Sequence, residues 1–194
     1  MLSNQISPFE YVSILVSIIL GLGITQILSA FSDLLYDFKK VKFYWPHSLW
    51  IAFIFFLHIQ DWFITWQLRN KMVWHLPELF FILMYPVSLF IAAKILIPSH
   101  DKDESEDMKM YYQNQFPMLF FIVGISILIS IFFNIFFLEK PFVQQFPLFV
   151  FLLVMFLGAL RKIENELFHK MIALIVCLAA LLSVVLEQNI WVIQ

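Results

Sequence analysis

Apolar residues run along this chain in six long stretches, parted by short polar breaks that hold most of the charges. A helix needs about 20 mostly apolar residues to cross a bilayer. The stretches that qualify are residues 9–36, 47–68, 76–97, 116–138, 142–160 and 170–193. The pattern predicts an all-α fold, a polytopic membrane protein built as a bundle of about six transmembrane helices. Residues 1–194 then form a single transmembrane domain. The fifth helix is the shortest, with Pro147 near its start. The third holds Pro86 at its middle and is expected to kink there, since proline removes a backbone donor and neighbouring helices must satisfy the freed carbonyl. No internal repeat supports an inverted-repeat transporter.

Composition agrees. Hydrophobic residues make up 62% of the chain and charged ones 13%, with a mean hydropathy of +0.87. A soluble domain of this size leaves too much surface in water to hide that much apolar side chain. Lipid removes the difficulty, and the 24 Phe residues suit a lipid-facing surface. The net charge of −2 carries no nucleic-acid footprint. The lone cysteine, Cys177, excludes an intrachain disulfide and a multi-cysteine metal site, and reads as a small packing residue. No Lys or Arg precedes Lys39, so the first apolar run reads as a permanent helix and not a cleaved leader.

Lys and Arg in short loops set membrane orientation. Lys39, Lys40, Lys42, Lys94, Lys102, Lys109, Arg161, Lys162 and Lys170 fall on one side; Arg69, Lys71 and Lys140 fall on the other. The richer side is expected in the cytoplasm and both termini outside it. Trp45, Trp50, Trp66, Trp74 and Trp191 sit near predicted helix ends, as an interfacial belt does. The longest loop, 99–115, carries Asp101, Asp103, Glu104, Glu106 and Asp107. It reads as a solvated cytoplasmic connector, with a divalent-cation or partner site as the alternative; it lacks the glycine and closing glutamate of an EF-hand.

Two features inside the membrane need explaining. On the first helix, Ser13, Ser17, Gly21, Thr25, Ser29 and Asp33 recur every four residues. Small residues at that spacing form a ridge that lets another helix approach, within one chain or between chains. The ridge drifts about 40° per step, because four residues advance about 400°. The expectation is that helix one packs centrally through it. Gln26 lies off the ridge and must find a partner. On the second helix, His58 and Asp61 stand near the centre, three residues apart, with His47, Trp50, Ile54 and Thr65 on the same face. An aspartate there costs about 2.5–3.5 kcal/mol on insertion scales, so function is the default reading. The pair can relay protons, line an ion path, or form a structural pair in which Asp61 accepts from His58 or Gln26. One histidine and one aspartate are too few to hold a metal.

The remaining polar residues have ordinary explanations. Ser126, Ser130 and Asn134 share a face of the fourth helix, and Cys177, Ala180, Ser183 and Glu187 a side of the sixth, with Gln188 and Asn189 beside them. Glu10 suits a helix N-terminus. Glu78 is expected to pair with Arg69 across the short outer loop. Enzyme signatures are absent: there is no nucleophile elbow, His-Glu-x-x-His, P-loop or dinucleotide fingerprint. No catalytic residue and no cofactor is expected.

The start Phe9-Glu10-Tyr11, the run Ile18 to Ser29 around Gly21, Gly23 and Gln26, the segment Trp66-Gln67-Leu68-Arg69 and the stretch Ala92 to Pro98 before the acidic loop belong together as a pattern. In these the chain resembles a group of small bacterial six-helix integral membrane proteins without assigned activity. The resemblance covers about the first half of the chain. It implies a bacterial inner membrane and supplies no activity. Proteins of this kind also occur as accessory partners in phage-defence operons.

Two functional expectations follow. The first is an oligomeric, channel-like or permeability-modulating protein whose polar path uses Gln26, His58 and Asp61. The second is a non-conducting scaffold or sensor, its polar residues a buried network and its cytoplasmic loops bound to a partner. The expected surroundings are membrane lipid, further copies of the chain and a cytoplasmic protein, with no nucleic acid.

Overall fold

The computed structural model describes residues 6–36, 41–98, 107–186 and Trp191. Among these it is all-helical, with six helices long and apolar enough to cross a membrane: α1 (Pro8–Tyr36), α2 (Trp45–Trp66), α3 (Leu76–Leu96), α4 (Met108–Phe136), α5 (Phe146–Arg161) and α6 (Glu166–Leu186). The protein is therefore a multi-pass membrane protein of the class that the hydropathy pattern predicts.

Local chemistry fixes the helix ends. At α1 the Glu10 amide donates to Ser7 Oγ and the Ser7 amide to the Glu10 carboxylate, a reciprocal capping box. Helix α4 begins about two turns before the predicted start. The Asp107 carboxylate accepts from the Lys109 and Met110 amides, and that cap carries the helix through residues that hydropathy assigns to the acidic loop. Residues 99–106 of that loop lie outside the described residues, as do Glu187, Gln188 and Asn189. The fifth segment opens as a 3₁₀ turn, Phe142–Gln145, before Pro147 enters the first turn of α5, where its missing donor does no harm. The Asn165 side chain caps α6 by accepting from the Leu167 and Phe168 amides.

Helix α2 stands at the centre. It touches α1, α3, α4 and α6, while α5 packs on α4. Helix α1 is peripheral and rests on α2 and α3, which corrects the expectation of a central first helix. Nor does it pack within the chain through the small-residue ridge. Its buried stripe is Phe9, Val12, Val16, Leu20, Gly23, Ile27 and Ala30. Thr25 and Ser29 are exposed, Ser13, Ser17, Gly21 and Asp33 are half-buried, and Gly21 has no neighbour within reach of an added Cβ. The reason is the drift. A four-residue repeat slides around the helix, whereas the Phe9 stripe advances by threes and fours and stays on one face. Outward-facing Ile14, Ile18, Leu22, Leu153, Leu157, Leu181 and Val185 form an apolar belt that only lipid solvates at no cost.

Candidate functional site: an intramembrane polar cavity

Asp61 and Thr65 lie one turn apart on α2 and turn toward α3, α4 and α5. A cavity of about 410 Å³ opens there. Its polar wall comes from Gln60, Asp61 and Thr65, from Tyr85 on α3, from Ser126, Ser130 and Asn134 on α4, from Gln145 ahead of α5 and from Ser183 on α6. Lys140 and Gln144 line its rim, on the side where α1 begins and α6 ends; Ile54, Leu89 and Val123 line its other end. Pro86 sits beside Tyr85 within α3.

Three of the neutral polar groups in this wall, Ser126, Asn134 and Gln145, are already engaged. Asn134 Nδ2 donates to Gln145 Oε1 at 2.9 Å. Ser126 Oγ lies 2.8 Å from Ser88 Oγ and 3.0 Å from the Ile122 carbonyl. Asp61 differs: its Oδ2 is buried with no hydrogen-bond partner, and it forms no ion pair among the described residues. Buried carboxylates are normally paired, so this oxygen stands apart from the rest of the wall.

The three residues expected to form one cluster do not bond to one another. His58 Nδ1 donates to the Ile54 carbonyl four residues back, at 2.7 Å. A carbonyl cannot donate, so the neutral ring carries its proton on Nδ1 and leaves Nε2 a bare acceptor. Nε2 faces Gly23 of α1 and has no partner. Gln26 Oε1 is likewise buried and unpartnered. Thus Asp61 faces the cavity, His58 faces α1, and the structural pair that spacing alone allows is not made. Glu78 pairs with Lys71 at 3.1 Å, not with Arg69, whose guanidinium stacks over Trp66. The correction is geometric: Lys71 and Glu78 both flank the turn that Glu78 itself closes by accepting from the His75 amide. Cys177 is half-buried, its thiol 3.5 Å from the Leu49 carbonyl at the α2–α6 contact, in keeping with a packing role.

The opposite half of the bundle is filled. Trp50, Phe120 and Met155 are wholly buried, with Trp50 and Phe120 at 5.4 Å between ring centroids. Phe116 meets the His169 ring at 4.4 Å. His169 Nε2 donates to the Ile163 carbonyl at 2.7 Å, so its Nδ1 accepts from the Tyr112 hydroxyl at 3.0 Å. Outside this layer Lys109 and Lys170 both grip Glu166, at 2.8 and 2.7 Å. Burial, with Glu166 nearby, holds the Tyr44 phenol above its ordinary pKa, so it stays neutral. Among the described residues the filled Trp50–Phe116–Phe120 layer thus lies on one side of the cavity and Lys140 and Gln144 on the other.

Spacing does not reveal several contributors. Tyr112 falls in a stretch that reads as loop, Gln145 in a 3₁₀ turn that reads as helix, and Tyr85 in an otherwise apolar run, where adjacency to Pro86 is its one local signal. Ser126, Ser130 and Asn134 are legible as a face, without the cavity they line. Compared with known protein families, with curated proteins and with solved structures, the chain matches none of them.

Proposed function

We propose that the chain is a channel-like, permeability-modulating membrane protein in which the Asp61 cavity is one half of a polar path and the Trp50–Phe116–Phe120 layer is its closed gate. The carrying observation is Asp61 in the wall of the cavity, with one carboxylate oxygen, Oδ2, buried and unpartnered. An isolated acid at that depth is expensive and offers no folding benefit that a neutral residue would lack. Polar walls on four successive elements, reaching from rim to mid-helix, supply the rest of the path. His58 and Gln26 lie behind it, on the α1–α2 contact, and act on the path through the position of α2. The proposal includes a homo-oligomer, a bacterial inner membrane and termini outside the cytoplasm.

A second reading is a non-conducting sensor or scaffold working with a cytoplasmic partner, such as one in a defence system. It is favoured by the aromatic half, where Trp50, Phe116 and Phe120 fill the bundle among the described residues. Flux through proteoliposomes separates the two. The channel reading expects cation or proton flux that Asp61→Asn reduces strongly and His58→Ala alters. Absence of flux in every oligomeric form, or flux indifferent to both substitutions, ends it in favour of the sensor. Labelling of a cysteine placed at residue 102 from the periplasmic side would overturn the orientation.

A further inference from the structure

The chemistry of the cavity wall narrows what Asp61 can hold. A stripped metal ion needs several free oxygens converging on one point. Here the Asn134 and Gln145 amides are bonded to each other, and the Ser126 hydroxyl is shared between Ser88 and a carbonyl. Gln60, Thr65, Tyr85 and Ser130 add only neutral polar groups, so the wall carries one carboxylate, hence one negative charge. A divalent ion would sit in that low-dielectric space with its second charge unmatched. The volume of about 410 Å³ is also far larger than a bare ion.

The rest of the wall is aromatic and aliphatic. Phe53, Phe81, Tyr85, Phe133 and Phe151 all face the cavity. Phe81 and Phe133 are held in place from outside, each stacked on Phe137 with interplanar angles of 2° and 10°. Aromatic faces attract cations whose charge is spread over carbon-bearing groups, most strongly where water is excluded. One buried carboxylate plus several fixed aromatic rings is a recognition chemistry for an organic monocation. Lys140 is the cation among the lining residues; it stands at the rim and not against the carboxylate, so it leaves the deep end available.

We propose that the Asp61 cavity is a binding site for a monovalent organic cation with an apolar body, an alkyl or aryl ammonium or phosphonium ion. Asp61 matches the charge, and Phe81, Tyr85 and Phe133 cover the apolar groups. The inference rests on the reading that this cavity is the working site of the protein.

The test uses the full chain in lipid nanodiscs, with radiolabelled tetraphenylphosphonium as probe and empty nanodiscs as the partition control. Saturable binding is expected that sodium chloride does not displace. Asp61→Asn should weaken it about tenfold or more, through loss of the matching charge, while Asp61→Glu retains it. Phe133→Leu should weaken it several-fold. Triphenylphosphine oxide, neutral and of similar shape, should compete poorly. A measurement on the wild-type chain covers variants that do not fold: bound tetraphenylphosphonium should protect Asp61 from carbodiimide modification, mapped by mass spectrometry. No saturable binding, equal binding to Asp61→Asn, or equal competition by the neutral compound overturns the proposal. Flux assays on the same preparations keep the two readings apart. Flux without probe binding removes the organic-cation site and leaves the permeability reading standing. Probe binding without flux does the reverse.

Discussion

The ring of His58 on α2 fills the space in which a side chain at Gly23 on α1 would stand. A Cβ at Gly23 would overlap Nε2 and lie 2.7 Å from Cδ2. The ring cannot swing away freely, because Nδ1 is tied to the Ile54 carbonyl. Gly23→Ala should therefore force α1 and α2 apart and cost about 1–3 kcal/mol, the usual range for overpacking. Gly21→Ala is the control: it meets nothing within 4 Å and should be neutral or raise stability by up to about 1 kcal/mol through helix propensity. Thermal unfolding in mild detergent checks both. The double variant Gly23→Ala/His58→Ala should recover much of the loss. Equal melting temperatures for the two glycine variants would falsify this account of the contact.

That contact separates what a sequence conveys from what it does not. Six apolar runs announce six helices because lipid imposes length and composition on every span. Which face of a helix meets which neighbour is a different matter. The Phe9–Ala30 stripe and the Ser13–Asp33 ridge are both periodic, and a preference for the smaller residues misses the one that packs within the chain. Gly23 belongs to the true seam, although it lies off the ridge. Likewise, three-residue spacing puts His58 and Asp61 about 60° apart on α2. That is near enough to pair, and also near enough to the edge of a face for one to turn to α1 and the other to the cavity. Tertiary neighbours decide between those outcomes, and spacing carries no information about them. The α4 start is legible in principle from Asp107 as a cap, but hydropathy weighs the residues after it as loop.

Asp61→Asn should leave stability unchanged or raise it by up to about 1 kcal/mol, because Asp61 stands between the centre of α2 and its C-terminal end and carries only a part of the roughly 3 kcal/mol insertion penalty of an aspartate at helix centre. The sign follows from the missing partner. Had Asp61 been held by His58 or Gln26, removing its charge would destabilise; with Oδ2 unpartnered, removal relieves desolvation. Chemical or thermal unfolding of the variant in detergent reads the sign directly. A loss of more than about 1 kcal/mol would reinstate a structural pair.

The aromatic half should depend on its buried hydrogen bonds more than on its visible ion pairs. Glu166 is gripped by two lysines, but all three side chains are substantially exposed, so solvent and salt screen the attraction. Glu166→Gln should lower the melting temperature little, and the effect should fade in high salt. Tyr112→Phe strands Nδ1 of the buried His169 as an acceptor without a donor, and should cost about 1–3 kcal/mol at any salt concentration. Melting curves at low and high salt separate the two.

Proton counting at the α3–α4 contact gives a sharper expectation. Ser88 Oγ lies 2.7 Å from the Tyr85 carbonyl, Ser126 Oγ 3.0 Å from the Ile122 carbonyl, and the two hydroxyls 2.8 Å from each other. The contacts number three, but two hydroxyls hold two protons and carbonyls supply none. At any instant two of the three are hydrogen bonds. Ser88→Ala leaves one bond, from Ser126 to its carbonyl; Ser126→Ala leaves one, from Ser88 to Tyr85; the double variant leaves none. Each single variant thus loses one bond, about 0.5–1.5 kcal/mol, and the double loses two. The effects should add to within about 0.5 kcal/mol, although residues in contact commonly couple by more than that. A double-mutant cycle on unfolding free energy decides it. If all three contacts were full bonds, each single change would remove two and the pair only three, and the cycle would show a coupling of about one hydrogen bond.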